Sequence, residues 1–156
     1  MHPHAELIAQ FYTAFANRDG RGMAACYHPD VEFSDEVFPD LQGMQAGAMW
    51  QMLCERAQDL RIEFGDVSAD ERAGRARWEA WYTFTSTGRP VHNRIVARFE
   101  FRDGRIIRHR DTFGFWRWAA QALGPLGWLL GWSPLVKRRV RAQAAAALAK
   151  YLTRPT

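Results

Sequence analysis

An imidazole and a carboxylate stand two positions apart in Arg105-Ile-Ile-Arg-His-Arg-Asp-Thr-Phe113, a segment with the composition of a β-strand. Alternation puts Ile107, His109, Asp111 and Phe113 on one face, and Arg108, Arg110 and Thr112 on the other. The arginine face is an ordinary solvent face. The first face mixes two titratable groups with apolar ones, and a buried carboxylate is costly unless it is paired or used. The chemistry available to it is proton transfer. A carboxylate in apolar surroundings can act as a base near neutrality, and a histidine on the same face can tune its protonation. The structural alternative is a buried ion pair of Asp111 with Arg94, Arg77 or His109.

Other residues could complete such a site. Trp78, Tyr82 and Phe113 would form apolar walls suited to a flat or cyclic ligand, or would simply be core. His92 and Asn93 occupy adjacent strand positions, so one at most faces inward. Asn93 shares its parity with Ile95 and Ala97 and is the better choice. Asp35 ends a short alternating segment, where an aspartate can also serve as a turn former. No His/Cys/Asp/Glu cluster has metal-ligand spacing, and neither a Gly-rich phosphate loop nor a Ser-His-Asp arrangement is readable. No metal or cofactor is expected.

The elements that must hold these side chains are legible in outline. Leu7, Ile8, Phe11, Tyr12 and Phe15 have the spacing of an amphipathic helix over residues 5–18. A short helix through Met23 and Tyr27 follows, His28-Pro29-Asp30 breaks the pattern, and Val31–Asp35 reads as a strand. Residues 44–58 return to helical spacing with a methionine-rich face, more in keeping with core than with a cofactor site. Strands are then predicted at 61–68, 73–85, 91–101 and 105–113, the last two joined by a tight turn at Asp103-Gly104. Helices first and an antiparallel meander afterwards indicate an α+β fold.

Bulk properties narrow the partners. At 156 residues, 47% hydrophobic and 24% charged, the chain is globular rather than disordered. Residues 1–60 carry 3 basic and 9 acidic side chains, and residues 61–156 carry 18 and 8. Most of the arginines alternate along strands and no nucleic-acid motif accompanies them, so a solvated sheet face is expected and nucleic acid is not. Cys26 and Cys54 read as buried reduced thiols, and with no signal peptide visible a cytoplasmic setting is expected.

The order of elements, together with Phe11-Tyr-Thr-Ala-Phe-Ala-Asn-Arg-Asp19, Tyr27-His-Pro-Asp-Val-Glu-Phe-Ser-Asp35, Gly43 before the third helix and Gly104–Phe113, resembles the nuclear transport factor two superfamily. Within it the chain is similar to the SnoaL-like, ketosteroid-isomerase-like and limonene-epoxide-hydrolase-like branch. The resemblance spans about residues 5–115 and implies a cone: N-terminal helices on a curved, mostly antiparallel sheet around an apolar pocket. It implies a proton-handling role for Asp35 and Asp111, with His109 beside them and Phe11 among the pocket residues. The isomerase's oxyanion tyrosine would fall at Phe11, with Tyr12 expected to face elsewhere on its helix, and its second donor would fall near Val96 or Ala97. The hydrolase's Arg-x-Asp pair would fall on Trp78 and Ala80; a slip to Arg77 and Glu79 would turn those side chains to the other face.

The expected organisation is a SnoaL-like cone over 1–115 and a tryptophan-rich helical extension over 116–156, within one structural unit. Trp118–Val136 is uncharged, but glycines and prolines interrupt it, so a spanning helix is not expected. The extension could cover the cone's mouth, pack in a homodimer, or lie on a membrane surface through residues 116–141. The leading functional expectation is a small acid/base enzyme acting on a hydrophobic molecule, of isomerase, cyclase or epoxide-hydrolase type. A non-catalytic ligand-binding or interaction domain is the alternative, and a peripheral membrane protein a third reading.

Overall fold

In the computed structural model, which describes residues 1–155, two helices lead into the first strand. They are α1 (Pro3–Ala16), α2 (Gly20–Ala25) and β1 (Tyr27–Ser34). The buried positions of α1 are Ala5, Ile8, Phe11, Tyr12 and Phe15, a stripe at i, i+3 and i+4 spacing. Past the Asn17 C-cap of α1, Arg18 takes a positive φ, and Asp19 caps α2 by accepting from the Gly22 N–H. β1 begins four residues earlier than expected, so His28-Pro29-Asp30 lies within the strand, where the ladder is irregular between Tyr27 and Glu32. Tyr27 opens this strand and does not close a helix.

A two-residue strand β2 (Leu41–Gln42) and helix α3 (Met44–Arg56) follow. Then come the long strands β3 (Arg61–Ala69), β4 (Ala73–Phe84), β5 (Arg89–Arg102) and β6 (Arg105–Thr112). The six strands form one sheet in the order β2-β1-β6-β5-β4-β3, antiparallel except where β1 runs parallel to β6. Asp103 and Gly104 both take positive φ in the two-residue β5–β6 turn, the geometry that keeps the hairpin's twist. One irregularity corrects the sequence reading. Phe101 pairs with Ile106 and Glu100 with Arg108, leaving Ile107 as the extra residue of a bulge. Ile106 is therefore the buried one, and Ile107 borders a depression of about 330 Å³ on the outer sheet face with Glu32, Glu100 and Arg108. His109 and Asp111 keep their inward parity.

The inner sheet face closes on α1 and α3 around a core that includes Phe11, Phe15, Phe33, Trp50, Trp78 and Phe99. Both cysteines are free and buried. Beyond the sheet lie three helices, α4 (Phe115–Leu123), α5 (Pro125–Leu130) and α6 (Pro134–Leu152). Ser133 caps α6 by accepting from the Leu135 N–H, with Pro134 at its first position. Phe115, Trp118, Ala119 and Ala122 of α4 make a second apolar cluster with Val91, Tyr82 and Phe113 at the end of the cone. Leu148 of α6 joins the main core, and Tyr151 and Arg154 both reach Glu55 of α3. No helix is long and apolar enough to cross a membrane among the described residues.

Helices α4 and α5 meet at very close range. A Cβ on Gly127 would lie 1.9 Å from the carbonyl oxygen of Ala119, a backbone atom that cannot swing aside. The expected outcome for Gly127→Ala is a loss of about 2 kcal/mol or more in urea unfolding, because overpacking against backbone forces the helices apart.

Candidate active site

Four strands and helices converge on Asp111. Its carboxylate enters from β6 with 3% of the residue exposed, and His109 from the same strand is fully buried. His109 Nε2 lies 2.9 Å from Asp111 Oδ1, and His109 Nδ1 lies 2.8 Å from the hydroxyl of Tyr27 on β1. Trp50 of α3 donates its indole N–H to that hydroxyl at 2.7 Å, and Trp78 of β4 donates more weakly to Asp111 Oδ1 at 3.4 Å. With a neutral imidazole and an ionised Asp111, one tautomer satisfies both histidine contacts: Nδ1 accepts from Tyr27 and Nε2–H donates to the carboxylate. This assignment follows from the network. The chain Trp50, Tyr27, His109, Asp111 thus points every donor toward one carboxylate oxygen.

The surroundings are aromatic. The rings of Phe33, Phe99 and Phe11 stand 5.0, 4.4 and 5.4 Å from the His109 ring, and Trp50 stacks on it at 6.1 Å. Packing of this kind locks the imidazole's orientation. It also denies Asp111 any water that could take over from His109.

Among the described residues, two buried side-chain polar atoms are left without a partner: Asp111 Oδ2 and the hydroxyl of Tyr12. One is an acceptor and the other a donor. Tyr12 is fully buried, its ring against Trp78 and Phe64. Burial, then the charge of Asp111, pushes its hydroxyl well above the ordinary phenol value, so it keeps its proton. This overturns the expectation that Tyr12 faces elsewhere on its helix. The buried stripe of α1 is wide enough to hold Phe11 and Tyr12 together, since Ile8, Phe11, Tyr12 and Phe15 all lie within it.

Asp35 sits just beyond β1, half-buried. Its Oδ1 accepts from the backbone N–H of Val37 at 2.7 Å and of Phe38 at 2.5 Å, so it does form the turn that an aspartate favours. Those N–H groups would hold a carboxylate's pKa down. Burial outweighs them, and with the charge of Asp111 added it pushes Asp35 up to about 7. Glu36 beside it is tethered to α6, receiving Lys137 Nζ at 2.6 Å on its side chain and the Arg141 Nε–H at 2.9 Å on its carbonyl. Tyr82 accepts from the Trp118 indole at 2.8 Å, and its own hydroxyl is raised by burial and by the nearby charge of Asp35. The extension therefore packs over the Asp35 end of the cone.

Among the other expected pocket residues, Phe11, Trp78, Ile95 and Ala97 are buried in the main core. Phe113 is half-buried between the two clusters, and Asn93 is half-buried opposite Ala80. The rings expected as walls touch one another, Trp78 lying 5.4 Å from Phe15 and 6.2 Å from Trp50, so they fill the cone's interior. Arg77 and Glu79 point outward, Arg77 toward Asp66 at 3.8 Å and Glu79 toward His92 and Arg94, which leaves the hydrolase-type Arg-x-Asp pair unformed inside. Of Arg94, Arg77 and His109, it is His109 that partners Asp111. Tyr27 and Trp50 were missed as site residues, although Tyr27 shares the odd parity of the buried Val31 and Phe33. No group of three potential metal ligands occurs among the described residues.

Solved structures of the same architecture are numerous. A protein from Xanthomonas campestris pv. campestris provisionally named a polyketide cyclase is 23% identical, with a TM-score of 0.64 over 76% of this chain and 96% of its own. A Mycobacterium tuberculosis epoxide hydrolase of the limonene-epoxide-hydrolase-like type is 20% identical, with a TM-score of 0.60 over 86% and 95%. A Catenulispora acidiphila protein with a ketosteroid isomerase-like fold, solved with trimethylamine, is 11% identical, with a TM-score of 0.68 over 79% and 96%. These likenesses establish the fold. No curated protein matches the sequence. The family model of the SnoaL-like domain matches residues 8–109, most of the chain, and the chain belongs to that family.

Proposed function

We propose that the chain is a small acid/base enzyme that moves a proton beside a carbonyl in a hydrophobic molecule. The observation that carries this reading is the orphaned pair, Asp111 Oδ2 and Tyr12 hydroxyl, in an otherwise satisfied interior. A buried polar atom without a partner costs about 1–3 kcal/mol, and two of complementary type near one charge suit a ligand that supplies both partners. Structural neighbours with names drawn from cyclase and isomerase chemistry support the same class.

In the proposed step, Asp111 Oδ2 takes a proton from the carbon next to the carbonyl. The C–H electron pair moves into the carbon–carbon bond, and the carbonyl pair moves onto oxygen, where the Tyr12 hydroxyl donates. His109 holds Asp111 through Oδ1 and leaves Oδ2 free. Asp35, protonated below about pH 7, returns a proton. Delivered to another carbon, it completes an isomerisation. Delivered to the oxygen of a second carbonyl that the enolate carbon has attacked, it completes a cyclisation. The hydrolytic variant draws less support, because Arg77 and Glu79 are engaged on the outer face.

The test is deuterium exchange at the α-carbon of a panel of hydrophobic cyclic and aryl ketones in D2O. Exchange should fall by about 10²–10⁴-fold in Asp111→Asn and about 10²-fold in Tyr12→Phe. Folding is followed by thermal melts. Tyr12→Phe should be more stable than the parent by about 1 kcal/mol, since it removes a hydroxyl that has no partner. Exchange that is absent throughout the panel, or unchanged in both variants, would leave the network a structural one.

Asp35 gives a second handle. Its folded pKa of about 7 lies above the ordinary 3.8, so the folded state holds an extra proton between those values. The associated stability is fully present below the lower value and is lost as pH rises through the upper. Urea unfolding should show stability falling by on the order of 1–3 kcal/mol from about pH 4 to about pH 8, and Asp35→Asn should flatten that slope while keeping the Oδ1 acceptor. Activity should fall through the same upper value, because the acid form is the one that donates.

A further inference from the structure

The C-terminal helices wear their apolar residues on the outside. In α5 the small residue faces in: Gly127, and Gly131 just after the helix, pack against Ala119 of α4. Leu126, Trp128 and Leu129 consequently face solvent at 58–59% exposure, and Trp132 and Leu135 at 72%. A surface helix in contact with water alone shows the reverse pattern. The indoles nearby are already satisfied without water: Trp116 donates to the Trp128 carbonyl at 3.0 Å and Trp132 to the Leu129 carbonyl at 2.7 Å. α5 carries no charged side chain, and its one polar group is the Trp128 indole N–H.

Charge says what this face would meet. Residues 112–156 contain seven Lys and Arg and no Asp or Glu. Lys137 and Arg154 are held by Glu36 and Glu55, while Arg117, Arg138 and Arg139 are exposed with no carboxylate partner among the described residues. Arg138 and Arg139 stand three and four positions after Leu135, on the same side of α6, and Arg117 follows the exposed Trp116. A second copy docked two-fold on this face would set basic rim against basic rim. An anionic bilayer surface matches both features: phosphate headgroups for the arginines, and the acyl boundary for tryptophan and leucine.

We infer that the face formed by α4, α5 and the start of α6 docks on the surface of an anionic phospholipid bilayer. The inference stands independently of the proton-transfer reading. No helix spans the membrane; the contact is peripheral, with the tryptophans at headgroup depth and the arginine rim on the phosphates.

Co-sedimentation of the full chain with phosphatidylcholine vesicles, with and without phosphatidylglycerol, tests it. The expected result is binding to the phosphatidylglycerol vesicles at low salt, weakened strongly at about 0.5 M salt. Two double variants at exposed positions, Trp132→Gln/Leu135→Gln and Arg138→Glu/Arg139→Glu, should keep the parent's melting temperature and each lower partitioning about tenfold or more. Failure of the parent to sediment with anionic vesicles at low salt overturns the inference. So does equal partitioning by parent and both variants. A dimer in analytical ultracentrifugation that Trp132→Gln/Leu135→Gln dissociates, with no vesicle binding, also overturns it by assigning the face to a second copy.

Discussion

A carboxylate enclosed by aromatic rings survives only if the protein replaces the water it has lost, and much of this cone is arranged to do so for Asp111. The replacement comes mainly through His109, whose usable tautomer is set by Tyr27, whose hydroxyl is in turn set by the Trp50 indole. These groups come from β6, β1 and α3, so the position of each element is answerable to one charge. The network reaches only Oδ1. Oδ2 stays bare in the interior, near a tyrosine that also lacks a partner. A core evolved for stability alone would have closed that gap with a single hydroxyl or a leucine. Leaving it open costs stability, and that cost is the observation on which the proposed proton transfer rests.

Much of this was readable in the residues. Strand alternation alone placed His109 and Asp111 together on the inner face, and the Asp103-Gly104 turn gave the hairpin its register. The reading failed where a local irregularity intervened. The bulge at Ile107 exchanged the facing of two isoleucines, an effect that alternation cannot anticipate because one unpaired residue inverts everything before it. It failed again at Tyr12, judged one position out of phase with Phe11, although a helical stripe some 100° wide accommodates both. Tyr27 escaped notice because Pro29 looked like a break in structure, yet a proline is tolerated where a strand ladder is already irregular.

The extension was the least legible region, for a different reason. Composition announced tryptophans, glycines and arginines but not which of them would turn inward. That choice is made by the approach of α5 to α4, where only glycine fits against Ala119. Once the small residues are committed to the contact, the bulky ones have nowhere to go but out. Helix α6 ties this outer surface to the mouth of the cone, since its Lys137 and Arg141 hold Glu36 beside Asp35.

The parallel pairing of β1 with β6 sets an order of assembly. Tyr27 and His109 are 82 positions apart, whereas β3 through β6 form a meander of neighbouring strands. Local hairpins close sooner than distant pairings, whose loop entropy must be met first. While the meander stands alone, His109 and Asp111 lie on an open, wet face and need no protein partner. The carboxylate loses its water only when β1 arrives, and β1 brings the hydroxyl that orients His109. During synthesis the first strand, paired on one side with β2, must therefore wait with its other edge open until the sixth has left the ribosome, and a chain interrupted before residue 105 would present that edge to other molecules.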